Sequence, residues 1–170
     1  KVAAAGDENA LQADGGAPSP LGVSVTQEGI QFTRSPYDDF VLLRYTVANE
    51  GAQTLDDLRV GFVTDWSLDR SSCCSGNAKA VDPGRDLGYA WNSEGVVHGI
   101  HVGIAVLTPP GLTAYRTIDD AQLFQIGFGT AQKWACLSSG IDTSGPVTGN
   151  YSMAVGTGPF TIAPGASITV

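Results

Sequence analysis

From Leu21 onward, apolar and polar positions alternate with a period of two, the signature of half-buried strands. Leu21–Thr26 and Ile30–Thr33 are the first two such runs, and Glu28-Gly29 between them predicts a hairpin turn. Phe40–Val47 is longer and apolar on both faces at its start, as a central strand would be, and Asn49-Glu50-Gly51 turns the chain back into Leu58–Val63. A polar stretch, Arg70–Arg85, reads as a loop. Gly88–Trp91 predicts a short strand, Val96–Leu107 a β-branched one closed by Pro109-Pro110-Gly111, and Thr113–Ile118 an edge strand. Tyr151–Val155, Gly158–Ile162 and Ser167–Val170 complete the set, with Ala163-Pro164-Gly165 as the last turn. One helix is expected over Thr130–Ser139, with Thr130 as its cap, Gly140 as its left-handed terminator, and Trp134 and Leu137 facing the sheets. This pattern predicts an all-β fold, an antiparallel β-sandwich of immunoglobulin-like or jelly-roll-like type with one short helix.

The first 20 residues, KVAAAGDENALQADGGAPSP, break the pattern: small, polar and rich in Gly and Pro, they hold too little apolar surface to offset their ordering entropy. Residues 1–20 are therefore expected to be an extended arm or linker, and residues 21–170 a single sandwich domain. Net charge narrows the partners. With a formal charge of −8 and only 9 Lys and Arg, nucleic acid and anionic membrane surfaces are disfavoured. No apolar run approaches the ~20 residues of a spanning helix. Lys1 followed by Val2-Ala3-Ala4-Ala5 suits a mature end left by cleavage of a leader.

Candidate chemistry is sparse. His98-Gly99-Ile100-His101-Val102-Gly103 resembles the histidine segment of subtilisin-like proteases, and Asp142 and Ser152 sit in segments resembling the aspartate and serine ones. The order His, Asp, Ser is wrong for that fold, and no strand–helix alternation surrounds them, so no catalysis is expected. Nor do His98 and His101 make a metal pair, since residues three apart on a strand point to opposite faces. Asp65, Asp69, Asp82 and Asp86, with Asn77, gather oxygen ligands around turns, as a calcium site requires; the competing reading is that Asp65 and Asp69 cap turns. Of the 3 cysteines, the adjacent pair Cys73-Cys74 scarcely bridges without strain, so a disulfide from one of them to Cys136 is expected, and the third is left over. Asn150-Tyr151-Ser152 matches a glycosylation sequon.

Several segments in one order carry a family likeness: FVLLRYTVAN at 40–49, VGFVTDWSLD at 60–69, LGY at 87–89, GIAVL at 103–107, Lys133-Trp134 through Gly140, and TGPFTIAPG at 157–165. Over residues 36–170 the chain resembles the non-catalytic β-sandwich region downstream of the protease domain in secreted bacterial subtilisin-like proteases and related surface proteins. The resemblance implies a sandwich fold and an extracellular or cell-surface location, without an activity. Three features depart from that family: Ser67 stands where a third acidic residue is usual, Cys73-Cys74 is inserted, and the strand at Ser167–Val170 stops where the family's continues. Two expectations follow. The chain is a structural or binding module without catalysis, tethered to a secreted hydrolase. Alternatively, copies of it join by strand addition into a surface filament, the arm filling the open edge. A protease fragment is the third reading.

Overall fold

The computed structural model describes residues 2–7, 21–68, 76–92 and 99–170, the first of these by its backbone course alone. The protein is all-β, and its described residues form three antiparallel sheets with one short α-helix. Its strands are β1 (Val2–Asp7), β2 (Val23–Gln31), β3 (Val41–Asn49), β4 (Leu55–Thr64), β5 (Asn77–Asp82), β6 (Leu87–Asn92), β7 (His101–Ala105), β8 (Ala114–Asp119), β9 (Val147–Thr148), β10 (Tyr151–Ile162) and β11 (Ser167–Thr169). The helix α1 spans Thr130–Ser138, and a single π-helical turn covers Ala121–Ile126. Contacts gather into two compact units, Lys1–Leu58 with Pro159–Val170 and Arg59–Gly158, and β4 and β10 each carry the chain from one into the other.

The first unit holds the sheet β1-β2-β3-β11. Glu28-Gly29 does not turn the chain: β2 runs straight through it and pairs with β3 over Val23–Asn49 to Gln31–Val41. The turn signal is overridden by pairing, because Glu28 lies opposite Arg44 and takes its guanidinium at 3.2 Å, while Gly29 accommodates Leu43. Val2–Asp7, expected as part of a free arm, is a strand antiparallel to β2. Beyond β2, Phe32, Tyr37 and Phe40 form a ring cluster with centroids 5.5–6.2 Å apart, each ring partly exposed.

In the second unit two sheets face each other. One has the order β4-β10-β8, the other β7-β6-β5-β9. Tyr115 of β8 and Met153 and Val155 of β10 pack with Val106 and Leu112, and Val81 of β5 and Ile104 of β7 close over them. Gly88 of β6 permits this approach, since a Cβ there would lie 2.7 Å from Val155 Cγ2. The opposite face of β4 and β10 receives α1. Leu137 seats on two glycines, Gly61 and Gly156, whose added Cβ atoms would come within 2.4 and 2.6 Å of its Cδ2. Strand β10 is thereby covered on both faces, which is why Ser152 through Gly158 are all buried.

Arginines from both flanking strands hold the end of α1. Arg59 Nη1 donates to Leu137 O at 2.9 Å, and Arg116 Nη2 to Ser139 O at 3.0 Å, satisfying carbonyls that a helix end leaves open. The N-cap is Gly129 rather than Thr130, without a side-chain bond; Gly140 is left-handed as expected, at φ 80°. Trp134 does not face the sheet with Leu137 but stays 48% exposed, under the Arg59 guanidinium at 5.5 Å.

Candidate functional site

The polar stretch Arg70–Arg85 is not all loop: Asn77–Asp82 is β5, and its side chains organise a polar region of the second unit. Asn77 is fully buried. Its Nδ2 donates to Trp66 O at 2.9 Å and its Oδ1 accepts from Leu68 N at 3.3 Å, so it clamps the segment leaving β4 instead of serving as an oxygen ligand. Lys79, two residues on, is 1% exposed, and its charge acts on Asp65 at the end of β4.

Asp65 opens on a cleft of about 440 Å³ lined also by Asp119, Asp120, Phe124, Asn150 and Tyr151. The elements that shape it are the end of β8, the π-helical turn and the start of β10. Asp119 Oδ1 accepts from Ala121 N at 2.8 Å and so starts the π turn; Asp120 N donates to Asn150 O at 3.2 Å. Asp120 is itself buried and takes the Ser152 hydroxyl at 2.7 Å. Burial pushes the Asp65 carboxyl above its ordinary range and the neighbouring Asp120 pushes it further, while Lys79 pulls it back. A carboxyl lifted beside a second carboxylate can hold a proton or face a cation. It cannot direct Ser152 at a substrate, because that hydroxyl lies wholly beneath the surface.

Titration of the Asp65 carboxyl by NMR is expected to show a midpoint above that of a free Asp. Asp120→Asn should lower it by removing the repulsion, and Lys79→Met should raise it. A midpoint that ignores both substitutions would remove the electrostatic coupling from the picture.

Two of the other expected ligands, Asp82 and Asp86, are bonded elsewhere. Asp82 accepts from Arg85 Nη1 at 3.0 Å, across the turn Pro83–Arg85. Asp86 Oδ1 accepts from Leu112 N at 2.8 Å and would lie 2.7 Å from a Cβ at Gly111, whose φ of 84° also disfavours a side chain. Among the described residues, no group of three or more His, Cys, Asp or Glu is placed to share a metal ion. Asp69, Cys73, Cys74 and His98 lie outside the described residues. Cys136, on α1, has no disulfide partner among the described residues, and burial pushes its thiol up against the opposing pull of Arg116. Asp142 is drawn down by hydrogen bonds from Ser144 and also pairs with Arg116 at 3.1 Å; it makes no contact with Ser152.

A second cleft, of about 420 Å³, opens on the outer face of the β7-β6-β5-β9 sheet. Asp82, Arg85, Leu87, Tyr89, His101 and Gly103 line it. Sequence reasoning missed both clefts. The adjacent acids Asp119-Asp120 at a strand end were the legible signal for the first; the second depends on strand register. No protein family, curated protein or solved structure matches the chain. Among the described residues, no helix is long and apolar enough to cross a membrane.

Proposed function

We propose that the chain is a non-catalytic module of a secreted or cell-surface protein, acting by binding. One observation carries this: among the described residues, the serine and the aspartates singled out in the sequence are, Asp65 apart, engaged in holding the fold. Ser152 is sealed under the acidic cleft on Asp120, Asp142 is fastened to Ser144 and Arg116, Asp86 caps Leu112, and Asp82 pairs with Arg85. The resemblance to sandwich regions of secreted proteases supports the location, and a tethered hydrolase is the partner it suggests. Incubation with a fluorophosphonate probe is expected to leave the chain unlabelled. Labelling that disappears in Ser152→Ala would overturn the non-catalytic reading.

A second reading is favoured by β1. Val2–Asp7 is an edge strand paired to β2 along its backbone, and an edge strand of that kind can exchange between copies. On this reading the module self-assembles. Light scattering should then show large species for the full chain and monomers after deletion of residues 1–20; identical monomers from both would end it.

A further inference from the structure

We infer that the cleft on the outer face of the β7-β6-β5-β9 sheet binds a neutral saccharide, with Tyr89 as the stacking surface and Arg85 and Asp82 as the hydroxyl-recognising pair. The inference rests on the binding-module reading and names its ligand class.

The cleft is built by register. On β6, Gly88, Ala90 and Asn92 point into the core and are buried, so Leu87, Tyr89 and Trp91 stand on the outside. On β7, Ala105 lies opposite Leu87, Gly103 opposite Tyr89 and His101 opposite Trp91, each exposed. Gly103 therefore leaves a gap beside the Tyr89 ring. A Cβ at Gly103 would fall 2.6 Å from Gly88 O and 2.9 Å from Leu87 Cδ1, so the gap cannot be filled by any other residue without moving the strand.

Tyr89 is fixed before any ligand arrives. Its ring stacks on Trp91 at 5.3 Å and 25°, and Trp91 stacks in turn against His101 at 6.3 Å and 19°. Three near-parallel rings restrain one another, so little side-chain entropy remains to be lost on binding. Trp91 takes one face of Tyr89; the rest of the ring lines the cleft.

The polar groups decide the ligand. Arg85 and Asp82 are bonded to each other at 3.0 Å, Arg85 largely and Asp82 partly exposed, so they present donors and acceptors side by side with no net charge. An anion would meet Asp82, a cation Arg85, and an apolar molecule would strand both. At the other end His101 Nδ1 meets the Gly99 carbonyl at 3.3 Å, which in the neutral ring places the proton there and leaves Nε2 to accept. A pyranose ring matches this set: its C–H face lies on an aromatic ring while its rim of hydroxyls both donates and accepts. The volume, about 420 Å³, falls within the range of small-ligand pockets.

The test uses the full chain, ¹⁵N-labelled and titrated with cello-, chito-, manno- and galacto-oligosaccharides, with chromatography of the sugar afterwards. Expected are saturable shift changes at the amides of Leu87, Tyr89 and Gly103 for at least one series. Tyr89→Ala should weaken that binding about tenfold or more. Tyr89→Phe should keep it, and Arg85→Ala should weaken it with the spectrum otherwise intact. No binding by any series overturns the inference, as does a Tyr89→Ala chain that folds and binds like the parent; either leaves the non-catalytic reading standing. Binding accompanied by shortened sugar chains overturns the non-catalytic reading instead, while the ligand class holds.

Discussion

Lys79→Met is expected to destabilise the protein by about 1 kcal/mol at neutral pH, because it removes a positive charge acting on the solvent-facing Asp65 carboxylate. Lys79 sits mid-strand in β5, opposite Ala90 of β6 and Val147 of β9, and is 1% exposed. Its positive charge offsets the crowding of Asp65 and Asp120. Met preserves the length and most of the volume of the side chain, so the loss is electrostatic and no large cavity is made. The pH dependence gives the sign. A carboxyl whose pKa is raised on folding favours the folded state while protonated, and that advantage is lost as pH rises through the folded-state pKa. Asp65 is such a group already, and without Lys79 it is raised further. The deficit of Lys79→Met relative to the parent should therefore be small in acid and widen as pH rises through the titration of Asp65. Urea unfolding at a series of pH values measures this. Adding Asp65→Asn to Lys79→Met should recover most of the loss, because the carboxylate left without its counter-charge is then gone. A single variant as stable as the parent at neutral pH, or a deficit that grows toward acid, would discard the account.

The same residue shows where sequence reasoning reached and where it stopped. Phe40–Val47 is apolar on both faces at its start, as a central strand would be, and it forms β3 within a few residues of the expected bounds. Asn77–Asp82, NAKAVD, carries few good strand formers and a lysine in its middle, so it looked like loop. It is a strand because partners on both sides supply its hydrogen bonds and because Asn77 finds Trp66 O and Leu68 N inside the unit. That is tertiary context, invisible locally. The Tyr89–Trp91–His101 stack has the same character: each residue was legible as a strand member, but the stack requires His101 to fall opposite Trp91, a register that residue spacing does not give. Glu28-Gly29 failed in the other direction, a good local turn signal outvoted by cross-strand partners. The acidic reading around Asp65 caught one member of the cleft and missed Asp120, whose role depends on β8 ending where β10 begins.

Asn49→Ala is expected to cost more, about 3 kcal/mol or above, and it acts in the first unit. The sequence marks Asn49 as a turn residue. In the structure it is the last residue of β3 and fully buried, with every polar atom used. Its Nδ2 donates to Gln53 O at 2.8 Å and to Ile162 O at 2.9 Å, and its Oδ1 accepts from Gly51 N at 2.9 Å. Its own N donates to Ala166 O at 2.9 Å, and its O accepts from Gly165 N at 2.9 Å. One side chain thus joins the turn after β3 to the end of β10, while its backbone holds the turn that leads into β11. Alanine keeps the backbone pair but strands two carbonyls and an N–H, each costing roughly 1–3 kcal/mol where water cannot replace the bond. Asn49→Asp separates hydrogen bonding from shape. The carboxylate keeps the acceptor for Gly51 but turns an oxygen toward two carbonyls, so at neutral pH this variant should be at least as damaged as Asn49→Ala. On acidification the introduced carboxyl gains a proton to donate, and part of the loss should return. Hydrogen exchange at Thr46 and Val47, in the stretch of β3 paired with β11, reports the unit directly. An Ala variant within about 1 kcal/mol of the parent, with those amides still protected, would mean that the three bonds add little beyond what the strand pairing already supplies.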